Sequence, residues 1–143
     1  MLYDQSEKLG VAILLPSATI SADNTPATVD LGTAGSCTIF LEVGVGGITF
    51  SGTNKVEFKL THSDDDDTYE AVTLADVVGP TSVGTGGIVS SLVAAHAAAT
   101  VEKIGYIGRK RYIKLLADFS GTHGTGTPMS ALAVTGNLLS IAP

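Results

Sequence analysis

In residues 54–63, NKVEFKLTHS, apolar and polar side chains alternate with a period of two. Val56, Phe58, Leu60 and His62 share one side, and Lys55, Glu57, Lys59 and Thr61 share the other. Successive side chains of a strand point to opposite faces, so this stretch reads as a half-buried antiparallel strand. SCTIFLEVGV repeats the pattern, with Cys37, Ile39, Leu41 and Val43 opposite Thr38, Phe40 and Glu42. Gly46 and Gly47 then interrupt it, as a bulge or tight turn would.

Further strands are predicted in ATVDL, in ITF after the glycines, and in TYEAVTLADVV, where Tyr69, Ala71 and Thr73 oppose Glu70, Val72 and Leu74. EKIGYIGRKRYIKLLADF reads as two strands joined near Gly108, and MSALAVTGNLLSI as one or two more. In IVSSLVAAHAAATV the alanines favour a short helix around 91–98, while the β-branched ends favour strands. With 17 glycines and only 15% charged residues, turns and strands are expected in place of long solvated helices.

The expected fold is mainly β, with eight to ten short strands in a single β-sandwich or jelly-roll-like domain; an open barrel is the alternative. Residues 1–26 contain Pro16 and Pro26 and hold no sustained period. They read as an extended N-terminal arm with a short strand near 11–15, or equally as an edge strand of the same domain. Residues 27–143 form the single β domain.

A net charge of −6 disfavours general binding to nucleic acid or to an anionic membrane, both of which need cations against phosphates. The apolar run VAILLP is far short of the ~18–20 residues that span a bilayer. It follows YDQSEK, with no basic flank of the kind that marks a secretory signal. The one cysteine, Cys37, cannot form an internal disulfide and reads as a buried small apolar residue.

Asp64–Asp67 form the densest group of side chains capable of chemistry. Counted from Asp64 as an EF-hand loop, position six is Tyr69 instead of glycine and position twelve is Ala75 instead of glutamate, so that pattern fails. A looser surface calcium site stays open as an alternative. An acid and base pair needs carboxylates in different environments, whereas four adjacent loop aspartates are expected to be similarly solvated. The expected role is a hairpin tip, where aspartate bonds the backbone and tolerates unusual φ.

His62, His96 and His123 have no metal-ligand spacing; they are expected at a strand end, among alanines and in solvent, respectively. No G-x-S-x-G elbow occurs, Cys37 has no base near it in sequence, and the glycine-rich pieces lack phosphate-loop patterns. No catalytic, cofactor-binding or metal-binding residue is assigned, and the chain is not expected to be an enzyme or to need a cofactor. KIGYIGRKRYIK gathers Lys103, Arg109, Lys110, Arg111 and Lys114 with Tyr106 and Tyr112, a mixture that can bind single-stranded nucleic acid. Strand alternation would divide that cluster between faces, and attraction to an acidic protein surface accounts for it equally well.

GGITFSGTNKVEFKLTHSDDDDTYEAV and AAATVEKIGYIGRKRYIKLLADFSGTHGTGTP together resemble a family of small proteins encoded in tailed bacteriophages and prophages. In that family a strand ending in H-S-D-D precedes T-Y-x-A-V, and a strand of the form Y-x-G-x-[KR]-R-Y-[IV]-[KR] follows. The resemblance spans about residues 20–143. It implies a structural virion protein of the capsid outer surface, a decoration or cement protein made in the bacterial host cytoplasm. The major capsid protein would be its partner, and it would act as a homodimer or homotrimer without nucleic acid or membrane. Tail-tube, connector, fibre-associated or carbohydrate-binding β modules are the alternatives; the absence of Trp weakens the carbohydrate reading. The resemblance carries no catalytic residue.

Overall fold

Residues 5–136 are described by a computed structural model. Along them run ten strands: β1 (Leu9–Ile20), β2 (Val29–Asp30), β3 (Ser36–Val43), β4 (Lys55–Ser63), β5 (Glu70–Ala71), β6 (Val77–Val78), β7 (Ile88–Leu92), β8 (Thr100–Tyr106), β9 (Tyr112–Ser120) and β10 (Thr127–Gly136). The alternation in β4 does what its period requires, since Val56, Phe58 and Leu60 are fully buried. β4 pairs antiparallel with β9 from Lys55 opposite Ser120 to Ser63 opposite Tyr112. Its other edge is shared by β7 and β5, and β2 flanks β9.

The second sheet has the order β1, β10, β3, β8, β6. The two sheets pack as a β-sandwich, which is the expected fold class. Ile39, Leu41, Ile104 and Ala131 from one sheet and Phe58, Leu60, Ile113 and Leu115 from the other belong to a single buried cluster. Each large side chain buried there stabilises the fold by roughly 1.5–3 kcal/mol.

Several segments differ from expectation. Leu9–Ile20, inside the expected arm, is a twelve-residue edge strand along β10. Its register shifts around Leu15 and Pro16, and Leu14 and Leu15 enter the core. Asn24 then donates to the Leu115 carbonyl and accepts the Ala117 N–H, tying the following segment to β9. Residues 9–24 are therefore integral to the sandwich, as in the edge-strand alternative. Residues 1–4 of the arm and the end of the expected last strand, 137–143, lie outside the described residues.

No helix forms around 91–98. Ile88–Leu92 is β7, because its backbone completes β4, and the alanines after it carry the chain irregularly to the other sheet. The strand expected over 48–50 is an irregular segment that buries Phe50. After two residues of β5, a reciprocal capping box between Thr73 and Asp76 turns the chain, and β6 joins the opposite sheet. Gly87, at φ 86°, lies against the Leu60 carbonyl so closely that a Cβ would collide with it.

Candidate functional site

β8 and β9 do not form a hairpin; they lie in different sheets, and the link around Gly108 crosses between them. The crossing places Arg109, Lys110 and Arg111 beside the aspartate tip that leaves β4. One ion pair joins the two charged groups of the sequence here, Lys110 with Asp64.

The tip is held from within. The Ser63 hydroxyl donates to Asp65 Oδ1 at 2.8 Å, and the same oxygen accepts the N–H groups of Asp67 and Thr68, each at 3.0 Å. Led by the Asp67 N–H, these bonds favour the carboxylate and hold the Asp65 pKa down to about 2. Asp66 stands at φ 59° and accepts from the Thr28 hydroxyl and the Tyr69 phenol. Asp64 faces Lys110 at 3.7 Å. All four carboxylates are exposed, as expected, and they differ in their partners: Asp65 carries the turn, and Asp66 and Asp64 bond elsewhere.

The basic residues are divided as well. Arg111 forks onto Asp30 through bonds of 2.8 and 2.9 Å, which lowers the Asp30 pKa. Lys110 pairs with Glu70, and the Lys114 ammonium lies 4.1 Å from the Tyr69 ring centre. Lys103 points away on β8 toward the outside of the other sheet. Arg109 is exposed at φ 63° with no carboxylate partner among the described residues.

Beneath the loop, Tyr106 of β8 reaches His62 of β4, with a phenol to Nδ1 distance of 2.8 Å. The phenol oxygen accepts the Lys110 N–H at 3.2 Å, which leaves its own proton free to go to Nδ1. Nε2 faces the Glu70 carboxylate at 3.7 Å, which favours the tautomer with the His62 proton on Nε2 and the phenol donating to Nδ1. Burial is the main cause lowering the His62 pKa, with Lys110 adding to it against Asp76, Glu70 and Asp64. Burial also pushes Tyr106 up to about 12.

A cleft of about 630 Å³ opens between this network and the start of β3, walled by Leu31, Ala34, Cys37, Tyr106, Arg109 and Lys110. Cys37 is buried as expected, and burial raises its pKa to about 11, so the thiol stays protonated and weakly nucleophilic. The only buried imidazole near it is committed to Tyr106 and Glu70. As arranged, these groups hold loops and sheets together.

No protein-family model, curated protein or solved structure matches this chain. Among the described residues no three His, Cys, Asp or Glu side chains gather as a metal set, and no helix is long and apolar enough to cross a membrane.

The other histidines divide differently from expectation. His96, expected among alanines, bonds the Val43 carbonyl and meets the edge of the Phe50 ring. His123, expected in solvent, is 3% exposed. Its ring packs on Phe119 and Phe50, and Nε2 donates to the Ser120 carbonyl. The glycine-rich loop folds inward because Gly121, Gly124 and Gly126 all adopt positive φ, which composition alone could not reveal. Sequence reasoning also missed the link between Tyr106 and His62. Its one local signal was the alternation placing Ile104 and Tyr106 on the same face of β8.

Proposed function

We propose that this protein is a structural virion component, a decoration or cement protein that binds the assembled head shell of a tailed phage and stabilises it. The carrying observation is the internal commitment of the polar groups at the charged end: Asp65 holds its own turn, and Lys110, Arg111, His62 and Tyr106 tie separate segments or the two sheets together. That arrangement favours a rigid binding module over a catalyst, and the family resemblance supplies the phage head. A sandwich of this kind would act by bridging neighbouring capsid subunits, where modest contacts repeated over a lattice add up. Fold alone does not carry function, and the weight rests on the motifs and the absorbed charges together.

The test is co-sedimentation of the purified chain with expanded empty shells and with unassembled capsid protein, followed by thermal disruption of the shells. Binding to shells with a raised disruption temperature, and weak binding to free subunits, is expected. Two half-sites engaged together raise affinity by ~10²–10⁴. Equal affinity for free subunits, or no association with shells, would transfer the protein to a tail-tube, connector or fibre role.

A further inference from the structure

The outer faces of the two sheets differ in kind. On the sheet containing β4 and β9 the outside is charged and internally paired, with Lys55 bonded to Glu57 at 2.9 Å and Lys59 to Asp118 at 2.5 Å. On the other sheet the outside is apolar. Its register sets Val11 of β1 beside Val134 of β10 and Thr38 of β3, and the next row sets Ile13, Leu132, Phe40 and Lys103 side by side. Val11 is 65% exposed, Val101 64% and Ile13 59%, and Leu9, Leu132 and Val78 are exposed too. These six expose on the order of 600 Å², at the top of what a monomer ordinarily shows and near the ~800 Å² per partner of a standard interface.

We infer that this face is the two-fold interface of a homodimer, with a second copy of the chain packed sheet to sheet upon it. The occupant follows from the pattern of the charges. Among the residues of this face Lys103 and Glu42 are the charged ones, and neither has an ion-pair partner among the described residues. With strands ~4.8 Å apart and ~3.4 Å per residue, Val11, Leu132, Phe40 and Val101 fall on one diagonal across β1, β10, β3 and β8. Lys103 and Glu42 lie on opposite sides of that diagonal, as do Val134 and Ile13. A two-fold axis along the diagonal exchanges each pair. Lys103 of each copy then meets Glu42 of the other, Ile13 meets Val134, and the diagonal residues meet themselves.

An isologous contact requires this kind of self-complementarity, and an unrelated partner has no reason to produce it. The rest of the molecule carries the acidic excess, so this is also the face on which two copies of charge −6 approach with least repulsion.

The association test uses the full purified chain and does not depend on the shell reading. Sedimentation equilibrium should show a monomer–dimer equilibrium in the micromolar range. Lys103→Glu and Glu42→Lys should each weaken it by ~10-fold or more, because like charges then face each other twice. Mixing the two variants should restore the dimer as a heterodimer, since every facing pair is again opposite in sign. Circular dichroism of each variant checks the fold, and Leu132→Asp should abolish association without unfolding the sandwich. A wild-type chain that stays monomeric at about 100 µM, a trimer, or variants that fail to recover on mixing would overturn the inference. If the monomeric chain lost shell co-sedimentation through Leu132→Asp, the face would belong to the capsid instead.

Discussion

Replacing Tyr106 with Phe removes the oxygen from a hydrogen bond between buried side chains of opposite sheets. The bond to His62 Nδ1 is 2.8 Å long, and His62 is only 4% exposed. The Lys110 N–H, released from its 3.2 Å contact, sits at the surface and can turn to water. His62 Nδ1 cannot. A buried acceptor left without a donor costs about 1–3 kcal/mol, and the surface contact adds little, so a loss of about 2 kcal/mol is expected. For a chain of this size that lowers Tm by about 4–10 °C. Urea denaturation at pH 7.5 with an unchanged m-value measures it. The double variant His62→Leu with Tyr106→Phe removes both partners, and should cost less than the two single changes added together. A Tyr106→Phe loss below about 0.5 kcal/mol, or strict additivity in the double variant, would refute the tie.

Acidification should destabilise the protein in two separate windows. His62 has a folded pKa below its ordinary 6.5, so the unfolded chain takes up the proton first. Stability falls as pH drops below about 6.5 toward the folded value, and His62→Leu should flatten that slope; a Tm constant from pH 7 to 5 would contradict the assignment. Asp65, held at about 2 against an ordinary 3.8, contributes stability above the ordinary value that is lost as pH falls from there toward 2. At neutral pH Asp65→Ala should lower Tm more than Asp64→Asn or Asp67→Asn does, while Asp65→Asn retains much of the turn. Millimolar calcium should leave Tm unchanged; a rise that disappears when all four aspartates become asparagine would reinstate a calcium site. Thr127 is fully buried with its hydroxyl unpartnered among the described residues, so Thr127→Val should be neutral or stabilise by up to ~1 kcal/mol in urea titration. A loss greater than that would show that the hydroxyl serves a buried water.

Local periodicity was enough to read the half-buried strands. Val56, Phe58 and Leu60, and likewise Cys37, Ile39, Leu41 and Val43, are all inward because a strand has only two faces and one must leave water. The aspartate tip was legible for a similar reason: aspartate makes its own turn, within a few residues, and Asp65 does so here. That no helix forms around 91–98 could not be read from propensity, since alanine preference is worth only tenths of a kcal/mol per residue against the pairing of Ser91 and Leu92 with β4.

Tertiary structure alone decided which strands share a sheet, and most of the site depends on that decision. The sequence shows β8 and β9 as neighbours across a short loop; only their assignment to opposite sheets brings Lys110 and Arg111 to Glu70 and Asp30, from segments 40 and 81 residues away. The same holds for Tyr106 with His62, and for the alignment of Val11, Leu132, Phe40 and Val101, which come from four separate stretches of chain. Alternation reports whether a side chain faces in or out because that is a property of one strand. Which side chains stand next to one another depends on strand order and register, set by long-range pairing whose partners carry no local mark.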